Sequence, residues 1–293
     1  MERTYYQPAD LKAALAVLAQ HPEARIVAGG TDLVVGARSG KSPLPAGLVA
    51  IERLKELEVI QPSDDGGLRI GALVTHGELE VSSAIHNAWS ALSDASALVG
   101  SPATRHVGTI GGNVCNASPA MEAGGPLLVF EAEVELASSQ GTRRLPFRSF
   151  VTGPGKTARR PDELVTAIVL PPPPSPGHTG SAYVRLEYRQ AMEIAVVGAA
   201  AMLTVDEHGR CAEARVALTA VAPTCVRSAA AEEHLAGKVL SDVLIGQAAR
   251  AAVDAAKPID DVRAPAGYRL AMVPVIVERA LRIAWDRAKG ASH

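Results

Sequence analysis

Thr109-Ile110-Gly111-Gly112-Asn113-Val114-Cys115-Asn116-Ala117-Ser118-Pro119 is the most informative stretch of this chain. Its paired glycines let a backbone approach a ligand closely. Thr109, Asn113, Asn116 and Ser118 supply neutral donors and acceptors. Such groups suit a large, flat, heteroatom-rich molecule whose redox state changes and which needs hydrogen bonds rather than fixed charge. A plain Gly/Asn-rich turn has the same composition, so the run gains weight from a second one upstream. There Arg25-Ile26-Val27-Ala28 reads as a short buried strand that runs into Gly29-Gly30-Thr31-Asp32-Leu33. Consecutive glycines free several amides to point at one anion, Thr31 adds a hydroxyl, and Asp32 can pin the loop by accepting amides. Neither the mononucleotide P-loop string nor the G-x-G-x-x-G of dinucleotide folds is present, and a tight turn after a strand remains the alternative.

Outward from these motifs, the spacing of Leu11, Ala14, Leu15 and Leu18 predicts a helix over 8–20 with Asp10 near its start. Residues 68–75 read as a strand followed by a helix from His76, 84–99 as helical, and 124–138 as apolar runs ending in an alternating strand. Pro171 to Pro174, then Ser175-Pro176-Gly177, cannot continue a ladder or a helix and read as a rigid connector. Strand-like runs at 182–190, 194–205 and 213–221 follow, and then alanine-rich helical runs at 228–236, 241–256 and 267–288. Strands first and helices afterwards predict an α+β unit. The expected division is a domain over 1–175, with subdomains of about 1–55 and 56–175, and a second domain over 176–293.

Composition narrows the class. With 293 residues, 47% hydrophobic and 20% charged, the chain can form a sizeable core. A net charge of -2 argues against a nucleic-acid surface. No apolar run is long enough to span a membrane, and the start Met1-Glu2-Arg3-Thr4 lacks the apolar core of a signal peptide. A cytoplasmic protein is therefore expected. Cys115, Cys211 and Cys225 are too few and too far apart for a disulfide framework or a four-thiolate cluster. Cys115 reads as a small buried residue rather than a nucleophile. His76 could touch a ligand but suits a helix start, and the histidines show no metal-ligand spacing.

The A-G-G-T-D-L loop (28–33), the T-I-G-G-N-x-x-N-x-x-P-A run (109–120) and the G-A-L-V-T-H string (71–76) together resemble the FAD-binding medium subunit of the molybdenum hydroxylases. The resemblance covers nearly the whole chain. It implies an α+β architecture in which two α/β subdomains clasp FAD, as in the vanillyl-alcohol-oxidase/PCMH-like fold. A C-terminal α+β domain with a three-stranded antiparallel sheet and helices would follow. By the same resemblance, Val27, Ala28, Gly29, Gly30, Thr31, Asp32, Leu33 and Val34 would wrap the FAD diphosphate. Thr109, Ile110, Gly111, Gly112 and Asn113 would run toward the flavin, with Asn116 and Ser118 in the same motif. Glu122 stands where the family has an Asp that would bond a cofactor hydroxyl. Leu164 or Val165 would lie against the flavin, although core packing explains both equally. Arg185 stands where the family has a lysine. It would either favour anionic reduced flavin or pair with a surface carboxylate, and a guanidinium is no neutral substitute for an ammonium.

The implied activity is that of an oxidoreductase subunit holding FAD alone, with no catalytic side chain and no metal of its own. A small subunit with two [2Fe–2S] clusters would deliver electrons from a molybdenum-cofactor large subunit. NAD, a quinone or oxygen would take them up. The alternatives are a self-sufficient FAD-dependent oxidase or reductase, and a scaffold subunit without cofactor.

Overall fold

A computed structural model describes residues 3–40, 42–174 and 178–290. Met1 and Glu2 lie outside the described residues, as do Ser175-Pro176-Gly177 of the connector. The chain opens with two strand–helix units. Strands Thr4–Tyr6 and Arg25–Val27 flank strand Gly47–Ala50, and both pairings are parallel. Helix Leu11–Gln20 buries Ala14, Leu15 and Leu18 against this sheet, the face its sequence spacing predicts. Asp10 caps it by accepting from Ala13 N at 2.7 Å. Helix Thr31–Arg38 follows Arg25–Val27 after two glycines.

The second sheet has five strands in the order Ile60–Pro62, Leu68–Gly71, Leu164–Leu170, Glu133–Ser138 and Gly141–Pro146, all antiparallel. Leu164–Leu170 sits in the centre and is buried along its length; its residues are apolar except Thr166, whose hydroxyl donates to Glu135 Oε1 at 3.0 Å. Residues 84–99 form two helices, Ser83–Ala88 and Ser90–Ala97, because Trp89 leaves helical geometry between them.

The third sheet is antiparallel and has four strands, Thr179–Leu186, Val197–Val205, Cys211–Thr219 and Val226–Arg227. Three were expected. The fourth is two residues long, pairing Val226 with Leu218 and Arg227 with Ala217, too short to show a period in sequence. Helix Ala266–Ala288 packs on this sheet. Gly180 lets it come close, since a Cβ there would lie 2.2 Å from the Ala284 carbonyl oxygen. Gly180→Ala should therefore push helix from sheet and cost about 1–3 kcal/mol. Thermal unfolding would show the loss, and an unchanged melting temperature would contradict this packing.

One apolar core joins the second and third sheets. It runs through Ile70, Leu127, Phe130 and Ile168 and on into Tyr183, Ala200, Met202 and Ala217. Polar links reinforce it: Ser90 Oγ donates to the Ser181 carbonyl at 2.8 Å, and Arg287 pairs with Asp94 at 2.7 Å.

Candidate functional site

The two glycine motifs open onto one cleft of about 340 Å³. Residues 27–33 line it from the first sheet, and Thr109, Gly111, Gly112, Asn113 and Asn116 line it from the second. Leu164 and Val165, the start of the central strand, form an apolar part of the wall.

Both motifs turn out to be helix starts rather than loops. Gly30 is the N-cap of Thr31–Arg38 with φ +69, a conformation glycine adopts without strain. No side chain caps this helix. Its first amides therefore carry unpaired donors and the positive end of the helix dipole. Asp32 lies in the first turn, exposed, and does not pin a loop as its sequence position suggested. Burial of part of its surroundings pushes its carboxyl above the usual range. In the second motif, helix Ile110–Asn116 is capped by Thr109, whose Oγ1 accepts from Gly112 N at 3.1 Å. Two adjacent glycines disfavour helix, which is why this element is hard to read from sequence.

The glycines do different work. A Cβ on Gly29 would lie 1.8 Å from the Val107 carbonyl oxygen, and one on Gly111 would lie 2.7 Å from Ala72. Those two are glycines because other parts of the protein crowd them. Gly112 is exposed to the cleft, and its Cβ would meet only Thr109 Oγ1 at 3.0 Å. Beside it Asn113 Oδ1 is buried and, among the described residues, without a hydrogen-bond partner. A buried orphan acceptor is costly unless a ligand donor reaches it. A cradle of bare amides, an anion-ready helix start and that acceptor together fit a dinucleotide.

The chain matches two family models in succession. "FAD binding domain in molybdopterin dehydrogenase" covers residues 1–173, and "CO dehydrogenase flavoprotein C-terminal domain" covers 182–284. The chain belongs to the FAD-binding subunits of the molybdenum hydroxylase family. It is 32% identical over 287 residues to the xanthine dehydrogenase FAD-binding subunit of Escherichia coli O157:H7, covering 98% of this chain and 97% of that protein. It is 33% identical over 286 residues to the carbon monoxide dehydrogenase medium chain of Afipia carboxidovorans, covering 97% of each. Against the solved carbon monoxide dehydrogenase of Hydrogenophaga pseudoflava the TM-score is 0.91, at 30% identity, with 98% of each chain covered. FAD is thus the cofactor of this subunit, and the fold is the mixed α and β arrangement of these relatives.

Some residues singled out from the sequence do not line the cleft. Ile110 points into the core, and Val34 faces outward on its helix. Ser118 Oγ accepts from Ala120 N at 3.2 Å within its own turn. Glu122 and Arg185 find each other. Arg185 Nη1 donates to Glu122 Oε1 at 2.5 Å, and the guanidinium also contacts Glu187 Oε2 at 2.5 Å. The Arg185 side chain is 1% exposed, so its partner is a buried carboxylate, not the surface one anticipated. Burial holds the Glu122 carboxyl above the ordinary range against the pull of Arg185.

The cleft wall also includes His76, weighed above as a possible ligand contact, and Arg159, which no motif singled out. His76 is both the first residue of helix His76–Val81 and part of the cleft wall. The Thr75 capping box, with Glu78 reaching back to the Thr75 amide, fixes it there, and T-x-x-E was visible in sequence. Burial and the nearby Arg105 lower its pKa to about 4, and Nδ1 sits 3.4 Å from Ser96 Oγ. The folded protein thus binds fewer protons at His76 than the unfolded chain does. The stability this supplies is complete above the ordinary 6.5 and is lost as pH falls toward about 4. The loss should total up to about 3 kcal/mol. Denaturant midpoints between those pH values should show this slope in wild type and a flatter one in His76→Gln; equal slopes would contradict it.

Proposed function

We propose that this subunit passes electrons from the [2Fe–2S] clusters of a partner subunit to an external acceptor, within a complex whose large subunit carries the molybdenum cofactor. FAD, when bound, supplies the change between single-electron and two-electron transfer. The protein's own share is to bind and orient it. Amides at the start of Thr31–Arg38 would hold the diphosphate, Asn113 Oδ1 would accept from the cofactor, and Leu164 and Val165 would exclude water from one face. NAD, a quinone or oxygen would be the acceptor.

The observation that carries this reading is the chemistry of the wall. His76 is neutral across the physiological range. Cys115, expected from the sequence to be buried, is instead exposed on the cleft wall, where desolvation pushes its thiol up to about 11 despite the nearby Arg159. Neither is a histidine or thiolate base of the kind a self-sufficient oxidase needs. The relatives point the same way, since they are named as subunits of xanthine and carbon monoxide dehydrogenases.

Purification from the native source under mild conditions tests the proposal. Molybdenum and iron should co-purify with this chain in fixed ratio to FAD. A flavoprotein free of both metals that turns over an alcohol, or NADPH with an organic acceptor, would replace this reading with that of an independent oxidase or reductase.

A further inference from the structure

We infer that Arg159 anchors the diphosphate of FAD as a cation fixed in place before the cofactor arrives; this rests on FAD occupying the cleft described above. Arg159 lies on the cleft wall five residues before Leu164. Its Nη1 donates to the main-chain carbonyls of Arg160 at 2.9 Å, Pro161 at 3.3 Å and Glu163 at 2.6 Å. Among the described residues no carboxylate pairs with it and no acceptor meets its Nε or Nη2. One nitrogen is thus clamped, and the rest of the fork is left unmatched.

The main chain on either side is pinned as well. Arg143 Nη2 donates to the Ala158 carbonyl at 3.1 Å, and Glu163 Oε2 accepts from Arg160 N at 2.7 Å. Arg143 and Glu163 are themselves joined, Nε to Oε1 at 2.5 Å and Nη2 to Oε2 at 2.9 Å. This pair draws the Glu163 carboxyl below its ordinary range, so the brace stays ionised at neutral pH. A cation held this way spends little side-chain entropy on binding an anion.

The cleft gives such a cation something to offset. Asp32 lines it and adds negative charge where a dianionic diphosphate would rest on the Thr31 amides. Arg25 also lines it but is exposed, and no bond among the described residues holds its guanidinium. Arg159 is the braced one.

The test is FAD titration of the apoprotein, followed by flavin fluorescence at low and high salt. Arg159→Gln should weaken binding on the order of 10- to 100-fold, as expected for losing a charge-assisted bond. It should also flatten the salt dependence, because a screened charge pair is gone. Arg159→Lys, which keeps the charge but loses the fork, should fall between. Arg160→Gln, which removes the same charge next door, should bind as wild type. Wild-type affinity in Arg159→Gln would overturn the inference. So would an intact affinity with a shifted flavin midpoint potential, which would put the guanidinium beside the isoalloxazine instead. Failure of the wild-type apoprotein to take up FAD would refute the reading of the cleft itself, a result distinct from these.

Discussion

Gly112→Val should yield a folded protein that purifies almost without FAD. The substitution adds bulk on the cleft side of helix Ile110–Asn116, whose opposite side, Ile110 and Val114, is packed in the core. Among the described residues outside the helix's own backbone, the neighbour within 4 Å of the new Cβ is Thr109 Oγ1, at 3.0 Å. If that hydroxyl turns away, one helix cap is lost, worth about 1 kcal/mol. The fold withstands that. The cofactor does not, because valine methyls would stand where the backbone must approach the ligand. Overpacking of a fitted site costs about 3 kcal/mol, so affinity should drop on the order of 100-fold. Flavin-to-protein ratio and circular dichroism, measured together, check this; full flavin with a native spectrum would count against the cleft as the binding site. Gly29 and Gly111 are unsuitable for the same experiment. Their substitution drives side chains into Val107 and Ala72 and damages the fold first.

The second large effect is on stability. Glu122→Ala leaves the Arg185 guanidinium in a site where its side chain is 1% exposed. Removing one partner of a buried pair costs about 3–5 kcal/mol. Glu187 still contacts Arg185, so the lower end, about 3 kcal/mol, is expected here. For a chain of this size that lowers the melting temperature by roughly 6–12 °C. Measured on FAD-free protein, the drop reports the ion pair alone. Glu122→Ala combined with Arg185→Met should recover much of it, since no charge is then stranded. A single mutant as stable as wild type would show that the pair contributes nothing net.

How much of this was legible in the sequence depends on the range of the interaction. Asp10 capping its helix, the apolar face of that helix and the alanine-rich helical runs follow from neighbours a few residues apart, and each is where periodicity puts it. The glycine motifs signalled a ligand, yet their helical form was hidden because Gly-Gly is a poor helix start by propensity. The Thr31 helix draws on the turn made by Gly30, and the Ile110 helix on the Thr109 cap. Glu122 and Arg185 are 63 positions apart; the family resemblance put Glu122 at a cofactor hydroxyl and left Arg185 open between the flavin and a surface carboxylate. Only the approach of strand Thr179–Leu186 to the turn after Pro119 pairs them. Arg159 gave no signal at all. An arginine in an Arg-Arg-Pro loop is ordinarily solvated, and its bonds to three carbonyls depend on the conformation of the loop.

The core that passes from Leu127 and Phe130 into Tyr183, Ala200 and Met202 bears on how the molecule melts. A chain cut at Pro174 would bare those leucine and phenylalanine side chains to water, and the severed remainder would bare its own alanine sheet. Neither fragment has a reason to stand alone. Heating should therefore produce a single cooperative transition, with the cofactor-holding half and the half behind the prolines failing at one temperature.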